Sequence, residues 1–343
     1  MLLFERDIAI DLGTTNTLAY VQGRGMALRE PTVVAVEKTS GRLMKIGEEA
    51  QKMLGRTPAN IAAVHPITAG VISDYDMTAH MLKEFISRIT SFSLFKPRVL
   101  VCIPGSVSGV EERAIIDACI EAGARKAYLL EASVATAMGA GVDIGKPDGH
   151  LVIDIGGGTT EIAVISLGGV VECDSIKAAG AEFDEAIVRY IRRKHNLLIG
   201  TRTAEELKKN IGCAYPKNEV KYEEIKGRCL MTGLPRSITI SSNDLIEAFE
   251  EPSSRILEAV HMVLERTPPE LVADISHNGI IMSGGGSLLW GLDKLVAKRT
   301  GISTAVVDDP LTCTVYGAGR MLKQLNDMQD GMINLARRRQ MKG

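Results

Sequence analysis

IAIDLGTTNTLAYVQGRG at residues 8–25 reads like LVIDIGGGTTEIAVISLGG at residues 151–169, and the fold follows from that likeness. Each copy is an apolar strand ending on an aspartate, Asp11 or Asp154, then a Gly/Thr-rich turn, then a second strand with small residues beyond it. The chain therefore reads as duplicated. Two similar halves, each offering such a turn, predict a cleft with a phosphate-bearing ligand held between them.

Around the repeat, apolar runs such as PRVLVCIPG and NGIIMSGGG alternate with helical stretches such as MTAHMLKEFISRI and EPSSRILEAVHMVLERT. That alternation predicts an α/β protein. Helix starts are marked by S-x-x-E at Ser108 to Glu111 and T-x-x-E at Thr203 to Glu206, both capping-box patterns. Residues 200–240 are more charged, with short strand pieces, and read as an insertion on the second half; residues 32–70 read as a smaller one on the first.

The 343 residues, 45% of them hydrophobic, suffice for two domains, each with its own core. Net charge is only −2, so no global field marks a nucleic-acid binder, and any anionic ligand must be held locally. Six cysteines without a CxxC pair fit a reducing cytosol. The start, MLLFERDIAID, shows no basic stretch followed by a long apolar run, and no window approaches the roughly 20 apolar residues of a membrane span. Membrane contact is expected to be peripheral.

In DLGTTNT, glycine permits a tight turn, while consecutive N–H groups and the hydroxyls of Thr14 and Thr15 can nest phosphate oxygens. DIGGGTTE repeats the arrangement, with Thr159 or Thr160 placed to orient a water. Asp11 and Asp154 are candidates for holding a hydrated Mg²⁺, because magnesium takes oxygen ligands and keeps several waters. Either turn alone would pass for an ordinary hairpin bend; occurring twice, they do not. A third cluster, SGGGSLLWGL, follows a strand and precedes a helix, where backbone can approach a ring or phosphate. The stretch TAEELKKNIG offers Glu205 or Glu206 with Lys208 or Lys209 to a ribose or adenine edge, though such pairs on a helix are more often solvated.

These turns, in this order, resemble the superfamily of actin, sugar kinases and heat-shock chaperone ATPases. The closer resemblance is to the MreB family of bacterial actins, followed through DIAIDLGTTNTL, HPITAGVISDYDMT, DIGGGTTEIAVISLGG, MTGLPRSITI, SGGGSLLWGL and GAGRML. It implies an actin-like ATPase fold: two duplicated ribonuclease-H-like domains with a nucleotide cleft between them, each carrying a smaller inserted subdomain. The implied division is 1–31, 71–140 and 321–343 for subdomain IA, 32–70 for IB, 141–181 and 243–320 for IIA, and 182–242 for IIB. It also implies ATP or ADP with Mg²⁺ in the cleft. By the same resemblance Thr14, Thr15 and Asn16 form the first phosphate loop, and Gly157, Gly158, Thr159 and Thr160 the second. Nucleoside contacts fall to Glu205, Glu206, Lys208 and Lys209, and to Gly284, Gly285, Gly286, Ser287 and Leu288.

One departure bears on activity. Members of the family usually carry EEPMAAAIGAG where this chain has EASVATAMGAG at residues 131–141, so Glu131 lies under the first family glutamate and Ala132 under the second, the one associated with water activation. Glu131 is not an obvious substitute, since adjacent helical residues point about 100° apart. Binding of ATP with slow hydrolysis is expected, Thr159 and the metal supporting what remains. Trp290, the only tryptophan, stands where a basic residue is commoner.

Phe92, Leu94 and Phe95 in SFSLFKP sit where a polar loop would be expected, which suggests insertion into a bilayer interface, with Leu2, Leu3 and Phe4 as a second apolar contact. Arg337, Arg338, Arg339 and Lys342 in the tail would add attraction to anionic lipid. The resemblance thus implies a cytoplasmic protein, peripheral on the inner face of the cell membrane, forming homopolymeric filaments that work with the cell-wall elongation machinery to determine rod shape. A small-molecule kinase of the same superfamily, a chaperone-type ATPase and a plasmid-segregation or division actin are the alternatives.

Overall fold

Both copies of the repeat fold into the same opening. A computed structural model describes residues 7–90 and 96–327. The first half starts with β1 (Ile8–Leu12), β2 (Asn16–Val21) and β3 (Gly25–Pro31), an antiparallel meander in which Asp11 faces Leu18 across the first pair. A small sheet of β4 (Val34–Glu37), β5 (Leu43–Ile46) and β6 (Ile61–Val64) follows, then the hairpin of β7 (Ile67–Thr68) and β8 (Val71–Ile72). The chain returns with β9 (Arg98–Ile103) and β10 (Lys126–Glu131), parallel to β1, giving the order β10-β9-β1-β2-β3. The helices of this half are α1 (Glu48–Gln51), α2 (Tyr75–Thr90), α3 (Gly109–Glu121) and α4 (Ala132–Gly139).

The second half repeats this plan. Strands β11 (His150–Ile155), β12 (Thr160–Ser166) and β13 (Gly169–Ile176) form an antiparallel meander, and β14 (Leu197–Leu198), β15 (Tyr222–Cys229) and β16 (Pro235–Ser241) form a small sheet. Then β17 (Ile280–Ser283) and β18 (Thr304–Val306) add in parallel, giving β13-β12-β11-β17-β18. Strand order and directions match the first half, and the second and third strands of each meander share a bulge, at Ala19/Tyr20 and at Val164/Ile165. The helices here are α5 (Gly180–His195), α6 (Thr201–Ile211), α7 (Ser242–Arg266), α8 (Pro269–Asn278), α9 (Leu292–Thr300) and α10 (Cys313–Met321).

Strands β1 and β11 read as continuous apolar runs because both of their faces are covered. In the first half, Ile8 and Ile10 pack with Leu82 and Phe85 of α2 on one face, while Leu100, Cys102 and Leu130 pack with Val134 and Ala135 of α4 and Ala318 of α10 on the other. In the second half, Phe183 of α5 meets Phe249 of α7 edge to face, ring centroids 5.1 Å apart, over Ile153 and Ile162. The opposite face takes Ala137 of α4 against Val152, Ala163 and Ile165. Helix α4 is thus shared between the two sheets.

That sharing explains the small residues of EASVATAMGAG. A Cβ on Gly139 would overlap the carbonyl of Cys313, and one on Gly317 would overlap the carbonyl of Ala135, so α4 and α10 approach backbone to backbone. Of the two expected capping boxes, Ser108 and Glu111 make both reciprocal bonds at the start of α3. The pattern at Thr203 to Glu206 does not: α6 begins three residues earlier, with Gly200 in place of Thr203 at its N-cap and no side-chain cap, and Glu206 pairs instead with Arg202 at 3.1 Å. A box that the sequence reading missed, Ser241 with Asp244, starts α7.

Candidate functional site

The two Gly/Thr turns close in the same way. Gly13 N–H donates to Asn16 O at 3.2 Å, and Gly156 N–H donates to Thr159 O at 2.9 Å. They also face each other, since a Cβ on Gly157 would overlap Thr15 Oγ1 and one on Gly158 would overlap Thr14 Oγ1. Only glycine lets the second turn lie this close to the first. Behind the first turn, the Thr32 hydroxyl donates to Gly13 O at 2.7 Å and Gly70 N–H donates to Thr14 Oγ1 at 3.0 Å. Behind the second, Gly180 and Ala181 at the start of α5 donate their N–H groups to the carbonyls of Gly156 and Gly157 at 3.1 and 2.8 Å. Asn16 is exposed at the mouth. Thr160 is fully buried with its hydroxyl donating to Ala178 O at 2.6 Å, so only its backbone is available to a ligand.

Asp11 and Asp154 stand at the ends of equivalent strands and oppose each other electrostatically. Burial, then repulsion from Asp154, pushes the Asp11 carboxyl up to about 7. Asp154 is also raised by burial, against the hydroxyls of Thr314 and Thr136, each 3.0 Å from Oδ2. Cys102, paired with Asp11 across β1 and β9, is pushed up by the same burial and by both carboxylates. Two buried carboxylates, one of them raised by the other, suit a divalent cation, whose charge would favour the ionised form of both. Among the described residues no group of three or more His, Cys, Asp or Glu could enclose a metal, so a cation here would keep water or ligand oxygens, as magnesium does.

The third glycine cluster packs on the same place: a Cβ on Gly284 would overlap Asp154 Oδ1 and the Ile155 carbonyl, and one on Gly286 would overlap Ile155. Residues Gly285–Leu288 form a 3-10 turn in which Ser287 is buried and Leu288 is exposed. Trp290 lies just beyond, between the ammonium groups of Lys217 and Lys294 at 4.8 and 4.4 Å from its ring centre. On α6 the doubled residues separate. Lys208 is held by Asp184 at 2.7 Å and donates to Gly180 O at 2.7 Å, next to the second turn. Burial raises Asp184 to about 6, with Lys208 opposing the rise and Glu205 adding to it, so Glu205 lies on this side. Glu205 pairs with Lys209 at 2.6 Å, while Glu206 points to Arg202 on an exposed face.

Glu131 and Ala132 point differently. Leu129 belongs to the face of β10 covered by α2 and α3, and Leu130 to the face covered by α4, so strand alternation puts Glu131 on the α2/α3 side. Glu131 is buried, and its side chain does not cap α4. Ala132 lies one turn before Thr136, whose hydroxyl bonds both Ala132 O, at 2.9 Å, and Asp154. A side chain at 132 therefore shares the helix face that looks toward Asp154.

Sequence reasoning missed Glu161. Its carboxyl, 6% exposed, accepts from Ser175 Oγ at 2.5 Å and from Gly105 N–H at 3.1 Å, and burial lifts it to about 7. A glutamate two residues beyond Thr159, paired with Asp154 across β11 and β12, was the available signal. The membrane candidates Phe92, Leu94 and Phe95, like Leu2, Leu3, Phe4 and the tail residues Arg337, Arg338, Arg339 and Lys342, lie outside the described residues. Among those described, no helix is long and apolar enough to cross a membrane.

Residues 5–330 match the model of the family described as MreB/Mbl protein. The cell shape-determining protein MreB of Escherichia coli (strain K12) is 48% identical over 335 residues, 96% of each chain. The cell shape-determining protein Mbl of Bacillus subtilis (strain 168) is 47% identical over 329 residues, 95% of this chain and 98% of that one. Among solved structures, MreB5 of Spiroplasma citri bound to ADP superposes with a TM-score of 0.91 at 37% identity, covering 95% of this chain and 98% of that one. The fold is the actin-like one, with its duplicated halves and smaller insertions.

Proposed function

Because the chain belongs to the MreB/Mbl family, we propose that it is an ATP-dependent bacterial actin whose filaments set rod shape by organising peptidoglycan synthesis. The observation that carries this reading is the pair of Gly/Thr turns, closed alike and facing each other in front of two carboxylates. In this reading Thr14, Thr15, Gly157 and Gly158 present N–H groups and hydroxyls to the phosphates, and Glu205, Lys208 and the Gly284–Leu288 turn flank the nucleoside. Mg²⁺, carried through water by Asp11 and Asp154, would neutralise phosphate charge. The four subdomains, at the boundaries given above, are the parts that close around the nucleotide.

Thr159 is the residue left to orient the attacking water, since Ala132 has no acceptor and Glu131 faces away. Loss of a positioned base costs about 10²- to 10⁴-fold in rate, so ATP binding with slow turnover, and hence slowly exchanging filaments, is the expected behaviour. Phosphate release by wild type and Ala132→Glu tests this: the variant should be faster, and equal rates would refute it. Attachment to the inner face of the cytoplasmic membrane is assigned to Phe92, Leu94 and Phe95, and liposome flotation of a Leu94→Ser, Phe95→Ser variant should show reduced binding. ATP-dependent pelleting with a phosphotransfer screen separates the filament reading from that of a small-molecule kinase.

A further inference from the structure

We propose that Glu161 is a positioning residue that ties the second phosphate turn to the first half of the molecule, so that closure of the cleft sets the geometry of hydrolysis. The inference rests on the nucleotide reading of the cleft. Glu161 belongs to β12 in the second half, yet its Oε2 takes the backbone N–H of Gly105, which follows β9 in the first half, at 3.1 Å. Its other oxygen takes the Ser175 hydroxyl of β13 at 2.5 Å, which fixes the carboxyl against its own sheet. Thr159, in the turn two residues before Glu161, is near enough for its hydroxyl to favour the charged form of the same carboxyl.

The neighbouring contacts complete a ring across the cleft. Next to Gly105, the Pro104 ring would lie 2.7 Å from a Cβ on Gly70, and Thr159 Cγ2 would lie 3.2 Å from it. Gly70 in turn donates its N–H to Thr14 Oγ1 in the first turn. The ring thus runs from Thr14 through Gly70 and Pro104–Gly105 to Glu161 and back to Thr159. It joins both turns by a route that does not pass through the ligand. Gly70 has a φ of +74° beside Ala69 at +50°, so the backbone at this junction is held in a conformation that favours glycine, and a side chain at 70 would also meet Pro104. A carboxylate suits the corner because it accepts several donors at once, and each of those donors belongs to a different segment.

Three measurements on the full chain test the role: binding of a fluorescent ATP analogue, single-turnover phosphate release, and amide exchange at Gly105 with and without ATP. Glu161→Ala should lower turnover about 10- to 100-fold, as expected for a misplaced reacting geometry, while ATP affinity moves less than about threefold. It should also expose the Gly105 amide to exchange. Glu161→Gln keeps the length and one acceptor oxygen, so it should recover most of both signals. Wild-type turnover and wild-type Gly105 protection in Glu161→Ala would overturn the inference, as would Gln as slow as Ala, which would indicate a proton-transfer role instead. A wild-type chain that binds no nucleotide would overturn the reading of the cleft itself, whatever the exchange at Gly105.

Discussion

The Asp11/Asp154 pair predicts how stability responds to pH and to a divalent cation. Asp11, ordinarily ionised above 3.8, keeps its proton in the folded chain up to about 7. At 1.36 kcal/mol for each tenfold, that corresponds to about 4 kcal/mol against the charged folded form, an upper figure because part of it is repulsion from the neighbouring Asp154 carboxyl. The sign follows from proton counting: between about 4 and about 7 the folded chain binds the proton that the unfolded chain has released. This contribution is therefore present at low pH, is lost as pH rises through about 7, and is constant beyond. Asp11→Asn cannot ionise, so its stability should be flatter over that window. At pH 8 the wild type should be restabilised by magnesium with ATP, by about 2.7 kcal/mol at a hundredfold excess over the dissociation constant, and Asp11→Asn much less. Urea unfolding at pH 5 and pH 8, with and without Mg·ATP, reads both effects. Parallel pH profiles for the two proteins, or equal stabilisation of both by Mg·ATP, would refute the reasoning.

Gly317→Ala should force α10 away from the Ala135 carbonyl and displace Thr136 and Thr314 from Asp154, lowering the thermal midpoint and weakening ATP binding together; a midpoint unchanged from wild type would contradict the backbone-to-backbone packing. Ser108→Ala removes the cap of α3 and should cost about 1 kcal/mol in urea unfolding, with ATP binding unaffected. Trp290 fluorescence should change on adding ATP, because its ring and two flanking lysines lie directly beyond the Gly284–Leu288 turn, and the change should persist in Ala132→Glu.

The fold was legible in the sequence where local chemistry repeats. Two strands ending on aspartate and two Gly/Thr turns are short-range patterns, and the sheets built on them match in order, direction and bulge. What the pattern could not reveal depends on distant partners. Thr136 and Thr314 meet only because α4 and α10 press together, and nothing local distinguishes their hydroxyls from other small polar residues. Thr160 reads as equal to Thr159 in sequence, but strand alternation turns it into the second half, onto the Ala178 carbonyl. Thr203 to Glu206 has the spelling of a capping box, yet helical hydrogen bonding already runs through it from Thr201. Glu161 went unnoticed because its partner Gly105 is a backbone amide in the other half, which no side-chain motif announces.

The central claim is that the facing turns hold Mg·ATP. Calorimetric titration of wild type and Gly158→Val with Mg·ATP tests it most directly, because a side chain at 158 would fill the space against Thr14 where the two turns meet. Saturable one-to-one binding in the wild type, lost in Gly158→Val while the far-UV circular dichroism stays native and the melting temperature falls, is the predicted result. Binding that is equally strong in both proteins, or absent from the wild type, would contradict it.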